Sequence, residues 1–521
     1  MKKIFFFSIL FFSLAIVTIS FIAKKETTPV KIKTKPIAVE CPVYYDYDPN
    51  IKAFVPASPS TGPVIRKNAN AISFSTSERA LFKSAVTIMK GLPLSNKTSW
   101  QYQAAIHGTT MMTGPGGGPM PTVWNTCKLA HNTCFFLAWH RVYLYFFERI
   151  LMSKMPAPPS GVIKPGLPYW DYQTYPMLPL IYRSPALATL NPLFDDRNPN
   201  YNAGSSLPPS INTDINTALS KTDYYLFQQA IEGPHGNIHL ALGGGFPGAN
   251  IGSFVHAAED PLFWAHHANI DRLWEVWLNK GGGRCNPNAT QDPDWWSKKF
   301  YFIDETGGTV SMTAGYIVQI ASSLNYKYDI VATPPIPASC IRTYKNCPDI
   351  YGSALRIIYS DYHIYQRIST LNFEQSDIKA YDSLLTVNKM GPLNITDDEK
   401  SDQVYLEFEN IVIKKAPEGV IELYINPKNK KEFNPDDASY SGSLDLFTAA
   451  AINGHKSMEH GDKVLRININ HVIKNLKLNL IDLKKAQLVF VVRGNYSNKG
   501  EILTTADVKL GKTAIAVYKN N

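Results

Sequence analysis

The chain has 521 residues, 45% hydrophobic and 18% charged, which excludes a disordered polyelectrolyte and leaves room for two or three domains with their own cores. Its formal net charge of +9 comes from scattered lysines, with no basic stripe interleaved with aromatics, so nucleic acid is not an expected partner. Six cysteines, at 41, 127, 134, 285, 340 and 347, form no CxxC pair, which argues against a zinc ribbon or a thioredoxin-like motif.

Lys2-Lys3 precede an uncharged, mostly apolar run from Ile4 to Ala23, the layout of an export signal. The run also has about the length needed to cross a bilayer. Lys24-Lys25 follow at once, and Thr18-Ile19-Ser20 is a poor cleavage site. Residues 1–23 are therefore expected to be a signal peptide or an N-terminal anchor, the one membrane contact expected. Either way the remainder is exported: secreted, periplasmic, or anchored by residues 4–23. Disulfides persist in such a compartment. Residues 24–65, rich in Pro, Lys and Thr, read as a tether.

Residues 66–330 are expected to be mainly helical. From Ser77 to Leu92 apolar residues fall at helical spacing (Ala80, Leu81, Ala85, Val86, Met89), with Ser77 as N-cap. A second helix is expected from Ser99 to His107, and Gly114 to Pro119 must be a loop. Phe135 to Met152 predicts an aromatic-rich helix. Tyr169 to Ser220, dense in Pro and Asn, predicts long loops. Helical pattern returns at Tyr224–Ile231, His235–Leu242 and Pro261–Leu278. A Pro-punctuated break begins at Ala332, and residues 331–400 read as a linker. Beyond it, Val404–Phe408, Val420–Ile425, Val464–Ile469, Leu476–Leu480 and Gln487–Val492 read as strands of an antiparallel sandwich, giving a C-terminal β domain over 401–521. The fold class is α+β and multidomain.

Eight of the twelve histidines lie between 107 and 267, and seven of these fall in two groups. His107, His131 and His140 form the first; His235, His239 and the adjacent pair His266-His267 form the second. His235 and His239, four apart on a helix, share one face and can reach one ion. Gly236 stands where a zinc protease would carry its general-base Glu, which argues against a metallopeptidase. His131 and His140 are nine apart and converge only if His131 lies on the loop before the helix of His140. Imidazoles without a thiolate or carboxylate suit copper better than zinc or iron.

Two segments carry a family resemblance. His131-x4-Phe136-Leu137-Ala138-Trp139-His140-Arg141-x2-Leu144-x3-Glu148 resembles the first copper signature of tyrosinases, and Asp260-Pro261-Leu262-Phe263-Trp264-Ala265-His266-His267-x3-Asp271 resembles the second. Asp292-Pro293-Asp294-Trp295 with Phe300–Glu305, and the Tyr326-Lys327-Tyr328 motif that would pair with Arg66, are similar to plant-type polyphenol oxidases. Residues 401–495 resemble the C-terminal domain that shields the site of the latent plant enzymes.

The resemblance implies a four-helix bundle holding two copper ions, one on His107, His131 and His140, the other on His235, His239 and His267. Adjacent helical residues point about 100° apart, so one of the pair His266-His267 faces the metal; the family pattern, four before Asp271, selects His267. Asp271 and Arg272 would orient ligands or knit helices, and Arg141 and Glu148 would be a structural pair. Glu232 lies near where some members carry a water-holding carboxylate; it also reads as a helix-end surface glutamate. Phe254 lies where plant enzymes place an aromatic gate over copper A; it also reads as a core aromatic. The cysteine that plant enzymes cross-link to the second ligand has no counterpart in Gly108–Met111, Leu129 stands where fungal members carry theirs, and a thioether from Cys127 is not expected. Good hydroxylators in the family often carry Asn directly after the first copper B ligand; here that residue is Gly236. The expected activity is oxidation of o-diphenols to o-quinones by dioxygen, with weaker monophenol hydroxylation. A haemocyanin-like oxygen carrier is the alternative, and a zinc hydrolase on His235 and His239 a third.

Overall fold

The computed structural model describes residues 51–56, 62–107, 130–131, 133–244, 246, 248–254, 256–332, 354–359, 362–364, 367–372, 393–395, 401–429, 431–447, 464–494, 496–497, 500–501 and 506–518. The expected signal or anchor, the Gly114–Pro119 loop and Cys127 lie outside the described residues. Among the described residues, no helix is long and apolar enough to cross a membrane.

The helical domain is built on α1 (Thr76–Gly91), α2 (Trp100–His107), α3 (Phe136–Lys154), α4 (Pro209–Ser220), α5 (Tyr224–Gly243) and α6 (Pro261–Asn279). The cap of α1 is Ser75, two residues before the expected Ser77. Ser75 Oγ accepts from the Glu78 N–H, and the Glu78 carboxylate accepts from the Ser75 N–H at 2.8 Å, so a capping box sets the start. The two expected segments after Tyr224 are one helix that carries Pro234 inside it. α4 lies within the stretch expected to be loops; Pro208-Pro209 opens it, a position where a missing N–H costs nothing. α3 and α6 bury nearly every side chain, so they form the centre of the domain.

The domain closes on itself at one edge. β1 (Val64–Arg66) pairs in parallel with β4 (Tyr326–Tyr328), while β2 (Lys299–Ile303) and β3 (Thr309–Thr313) form a hairpin. Arg66 is fully buried beneath this pair. Its guanidinium donates to both oxygens of Glu148 at 3.0 and 3.1 Å and to Asp271 at 3.0 Å, and lies 3.8 Å over the Tyr326 ring. Asp271 also accepts from Tyr326, Tyr328 and Arg141. Arg141 and Glu148 are not a pair: Arg141 binds Asp271 and Glu275, and Glu148 binds Arg66. Seven residues put two side chains on one helix face but two turns apart, beyond the reach of an ion pair. The described part of the expected tether packs against the domain, with Ala53 bridged to Ser311 and Phe54 edge-on to Phe146 at 5.0 Å.

Among the described residues, the C-terminal part forms two four-stranded antiparallel sheets, a three-stranded one and a two-stranded one. The strands are β5 (Ala354–Tyr359), β6 (Tyr362–Ile364), β7 (Ile368–Asn372), β8 (Gln403–Glu409), β9 (Val412–Lys415), β10 (Val420–Ile425), β11 (Tyr440–Ser443), β12 (Val464–Asn468), β13 (Gln487–Arg493), β14 (Tyr496–Ser497), β15 (Gly500–Glu501), β16 (Asp507–Leu510) and β17 (Lys512–Tyr518). One sheet runs β11-β10-β13-β7, another β12-β8-β17-β5. Phe408 and Phe490 meet between them at 6.3 Å. Two expectations change here. Strands β5, β6 and β7, inside the expected linker, pair with β17, β16 and β13 and complete the sheets. The expected strand Leu476–Leu480 is instead the junction of α7 (Asn470–Leu476) and α8 (Leu480–Lys484). Left-handed Lys477 ends the first, and Asn479 caps the second, which overrides the apolar alternation.

The two parts share side-chain bonds. Tyr405 of β8 donates to Gln229 of α5 at 3.0 Å, and Tyr440 and Ser443 of β11 both donate to Asp214 of α4.

Candidate metal centre

Four helices and the loop before α3 deliver the histidines. His107 ends α2, His131 precedes α3, His140 lies on α3, His235 and His239 lie on α5, and His266 and His267 on α6. His131 stands on the loop, as its spacing from His140 requires. The ligand atoms of His107, His131 and His140 lie within 4.8 Å of one another, and so do those of His235, His239, His266 and His267. The two groups face each other: the rings of His140 and His267 stack at 4.2 Å, and His131 lies 5.7 Å from His235.

Two of the rings are aimed by their second nitrogen. His140 Nδ1 meets the Phe136 carbonyl at 2.8 Å and His239 Nδ1 meets the Ile251 carbonyl at 2.8 Å. A carbonyl fixes the proton on Nδ1 and leaves Nε2 as the free lone pair. The Ile251 carbonyl reaches His239 because Gly243 and Gly252 let the two backbones touch; a Cβ on either would overlap the other. His235 Nε2 lies 3.3 Å from His267 Nε2 and 3.2 Å from His239 Nε2, three lone pairs converging on one point.

The electrostatics favour the neutral ligand form. Burial first, then the neighbouring imidazoles, holds His107, His140, His235 and His267 well below the ordinary histidine range. Burial pulls His239 down to about 3. Buried imidazole nitrogens left without a protein partner, such as Nε2 of His107 and His140, are costly unless something else fills them. A soft cation that accepts only neutral nitrogen does so.

Residues 97–203 and 191–280 match the common central domain of tyrosinase, and residues 289–339 match the polyphenol oxidase middle domain. Residues 97–280 thus carry the central domain of tyrosinases, followed by the polyphenol oxidase middle domain. It is similar to an aureusidin synthase of Antirrhinum majus, 26% identical over 505 residues that cover 87% of this chain and 82% of the relative. It is also similar to a tyrosinase of a Hahella species, 29% identical over 410 residues, covering 70% and 82%. The fold matches that of latent apple tyrosinase with a TM-score of 0.56 at 21% identity, covering 90% of this chain and all of that one. The protein is a phenol oxidoreductase that uses dioxygen and two copper ions.

Around the polyphenol oxidase centre the aromatics are close. Phe136 lies 4.7 Å from His235, Phe263 lies 4.1 Å from His267, and Phe254 lies 5.0 Å from His131 and 5.6 Å from His107. Phe254 thus stands over the first group, where the resemblance expects a gate. Glu232 is buried within α5, which removes its reading as a helix-end surface residue, and it lines a cavity between α5 and the C-terminal domain with Lys221 and Asp445. Asn237 is buried too, and its amide has no hydrogen-bond partner. Cys134 and Cys285 are each disulfide-bonded.

Two residues at the centre were not legible in the sequence. Phe447, four residues after the end of β11, lies flat on His239 and 5.5 Å from Phe254. Asp445, two residues before it, sits against Gly236. Both come from more than 200 positions away, and no spacing rule points to either.

Proposed function

We propose that the protein oxidises o-diphenols to o-quinones with dioxygen, hydroxylates monophenols more weakly, and is held latent by its C-terminal domain until that domain moves. The observation that carries this reading is the Phe447 ring on His239, with centroids 4.2 Å apart and planes 7° from parallel. The space over the second histidine group accepts a flat six-membered ring face to face. A phenol has that shape, with a hydroxyl that phenylalanine lacks.

The copper pair, when bound, supplies dioxygen binding and takes up the two electrons the diphenol gives. The chain does the rest. His107, His131 and His140 hold one ion and His235, His239 and His267 the other, with Nδ1 protons parked on carbonyls for two of them. Phe136, Phe254 and Phe263 exclude water from the space between the groups and present apolar walls to the substrate ring. Glu232, one turn before His235, is assigned to hold a water that accepts the phenol proton. An exported location follows from the apolar run at residues 4–23.

The carrier alternative lacks an observation in its favour. Oxygen uptake and quinone absorbance with a catechol, a matched monophenol and an o-aminophenol test the reading. Copper-loaded protein that binds dioxygen reversibly, yet gives no quinone after the C-terminal domain is cleaved away, would be a carrier.

A further inference from the structure

Gly236 follows the first copper B histidine, in the middle of α5, where glycine weakens a helix relative to alanine. Its backbone does not need glycine: it is not among the residues with positive φ. What it needs is space. A Cβ on Gly236 would overlap Oδ1 and Cγ of Asp445 and lie 2.7 Å from Oδ2. On the same helix, a Cβ on Gly233 would meet nothing.

Asp445 cannot step aside cheaply. It is 3% exposed, and its neighbours Leu444, Leu446 and Phe447 are as deeply buried. The Leu444 N–H is fixed on the Ile421 carbonyl at 2.9 Å, tying the segment to β10. Because Cγ itself overlaps, turning the carboxylate does not relieve the clash; χ1 or the backbone must shift. The two chains run alongside each other here: Asp445 lies on Gly236, and Phe447, two residues on, lies on His239, three residues on. A displacement at the first contact is passed to the second.

We propose that Gly236 is the seat of the C-terminal latch: the missing side chain is what lets Asp445 dock and so sets Phe447 on His239, and any side chain at 236 lifts the plug. This rests on the shielding reading above and adds a residue pair to it. A consequence is that position 236 cannot hold both a seated latch and the asparagine expected of good hydroxylators.

The test uses the full-length copper-loaded chain in four forms: wild type, Gly236→Ala, Asp445→Ala and Gly236→Ala/Asp445→Ala. Hydrogen exchange of the 441–447 amides reads docking, and catechol oxidation without protease reads access. Gly236→Ala is expected to raise exchange at 441–447 on the order of tenfold and to raise untreated catechol oxidation several-fold. The double variant, with the overlapping carboxylate removed, is expected to return both towards wild type. Wild-type exchange in Gly236→Ala, or a double variant as open as the single one, overturns the seat. If exchange follows the expected pattern while oxidation stays level across the forms, the seat stands and the shielding reading fails.

Discussion

Phe447 and His239 lie face to face, one from the sheet domain and one from the copper-holding helix α5. A stack between domains places substrate access under the control of a single ring. Phe447→Ala is therefore expected to raise oxidation of catechols by the intact, unproteolysed chain, with little change in copper content. A rate equal to that of the wild type, measured by initial oxygen uptake, would separate the ring from any blocking role.

Copper stoichiometry tests the ligand set. His140→Ala and His267→Ala are each expected to lose about one copper per chain and all quinone production, since a paired-metal reaction does not run on one ion. His266→Ala is the sharper case, because one of its nitrogens shares the 4.8 Å grouping with the other three and both are buried without a hydrogen-bond partner. Two coppers retained in His266→Ala support His267 as the ligand; one copper lost reverses the choice.

Much of this site was legible beforehand because it is local. The spacing from His140 to Glu148 and from Pro261 to Asp271 lies on single helices, where periodicity fixes which side chains share a face. The Arg66 contact with Tyr326 and Tyr328 came from the resemblance alone. What stayed hidden depended on competition or distance. Asn479 capping α8 defeated an alternating pattern, and the pairing of β5 to β7 with strands more than a hundred residues on defeated a linker reading. Phe447 and Asp445 belong to the second kind.

The buried network at the domain edge should behave as structure rather than catalysis. Arg66→Met leaves Glu148 partly unpaired and deprives Asp271 of one of its two guanidinium partners, in a region with almost no solvent. Removing one partner of a buried ion pair costs about 3–5 kcal/mol. Denaturant unfolding of the variant is expected to show a loss in this range, and a loss under about 1 kcal/mol would mark the network as dispensable.

Asp214 gives domain docking a pH dependence. Burial pushes its carboxyl up to about 7, with Glu422 adding to the rise and the Ser443 and Tyr440 hydroxyls opposing it. Once released, it returns to the ordinary carboxylate range near 4. Docking therefore takes up a proton between these values: its contribution is complete below about pH 4 and is lost as pH rises through 7. Burial holds His471, which lines the same cavity, neutral down to about 4, so its release takes up a proton between there and the ordinary histidine value near 6.5 and opposes Asp214 over that range, while Lys221, pushed down to about 8, stays charged below pH 7 in both states. Native-state proteolysis between the domains should therefore rise more from pH 5 to 7 in the wild type than in Asp214→Asn, the difference between the two profiles being the part Asp214 contributes. Parallel profiles in the two proteins would count against this carboxyl.

Substrate preference follows from proton handling. Deprotonating a phenol of pKa near 10 at neutral pH costs about 4 kcal/mol, which a positioned base must supply. Gly236 offers no side chain to orient a water beside Glu232, and in the docked state Asp445 fills the space. Initial rates on a matched pair are expected to be higher for the diphenol, with a lag on the monophenol. Equal initial rates would mean that position 236 has no part in hydroxylation. Gly236→Asn tests the position only once the latch is off, because asparagine would collide with Asp445.

The parallel pairing of β1 with β4 brings the entry and exit of the helical domain to the same edge, with Val64 beside Tyr326 and Arg66 beside Tyr328. The domain is in effect a closed loop of chain whose ends are already neighbours. A circular permutant that joins these ends with a few flexible residues, and opens instead at the exposed turn around Pro158 to Gly161, would keep every copper-bearing helix in its order around the site. It would also carry no route by which a C-terminal domain could reach His239, making it an enzyme without a lid by construction.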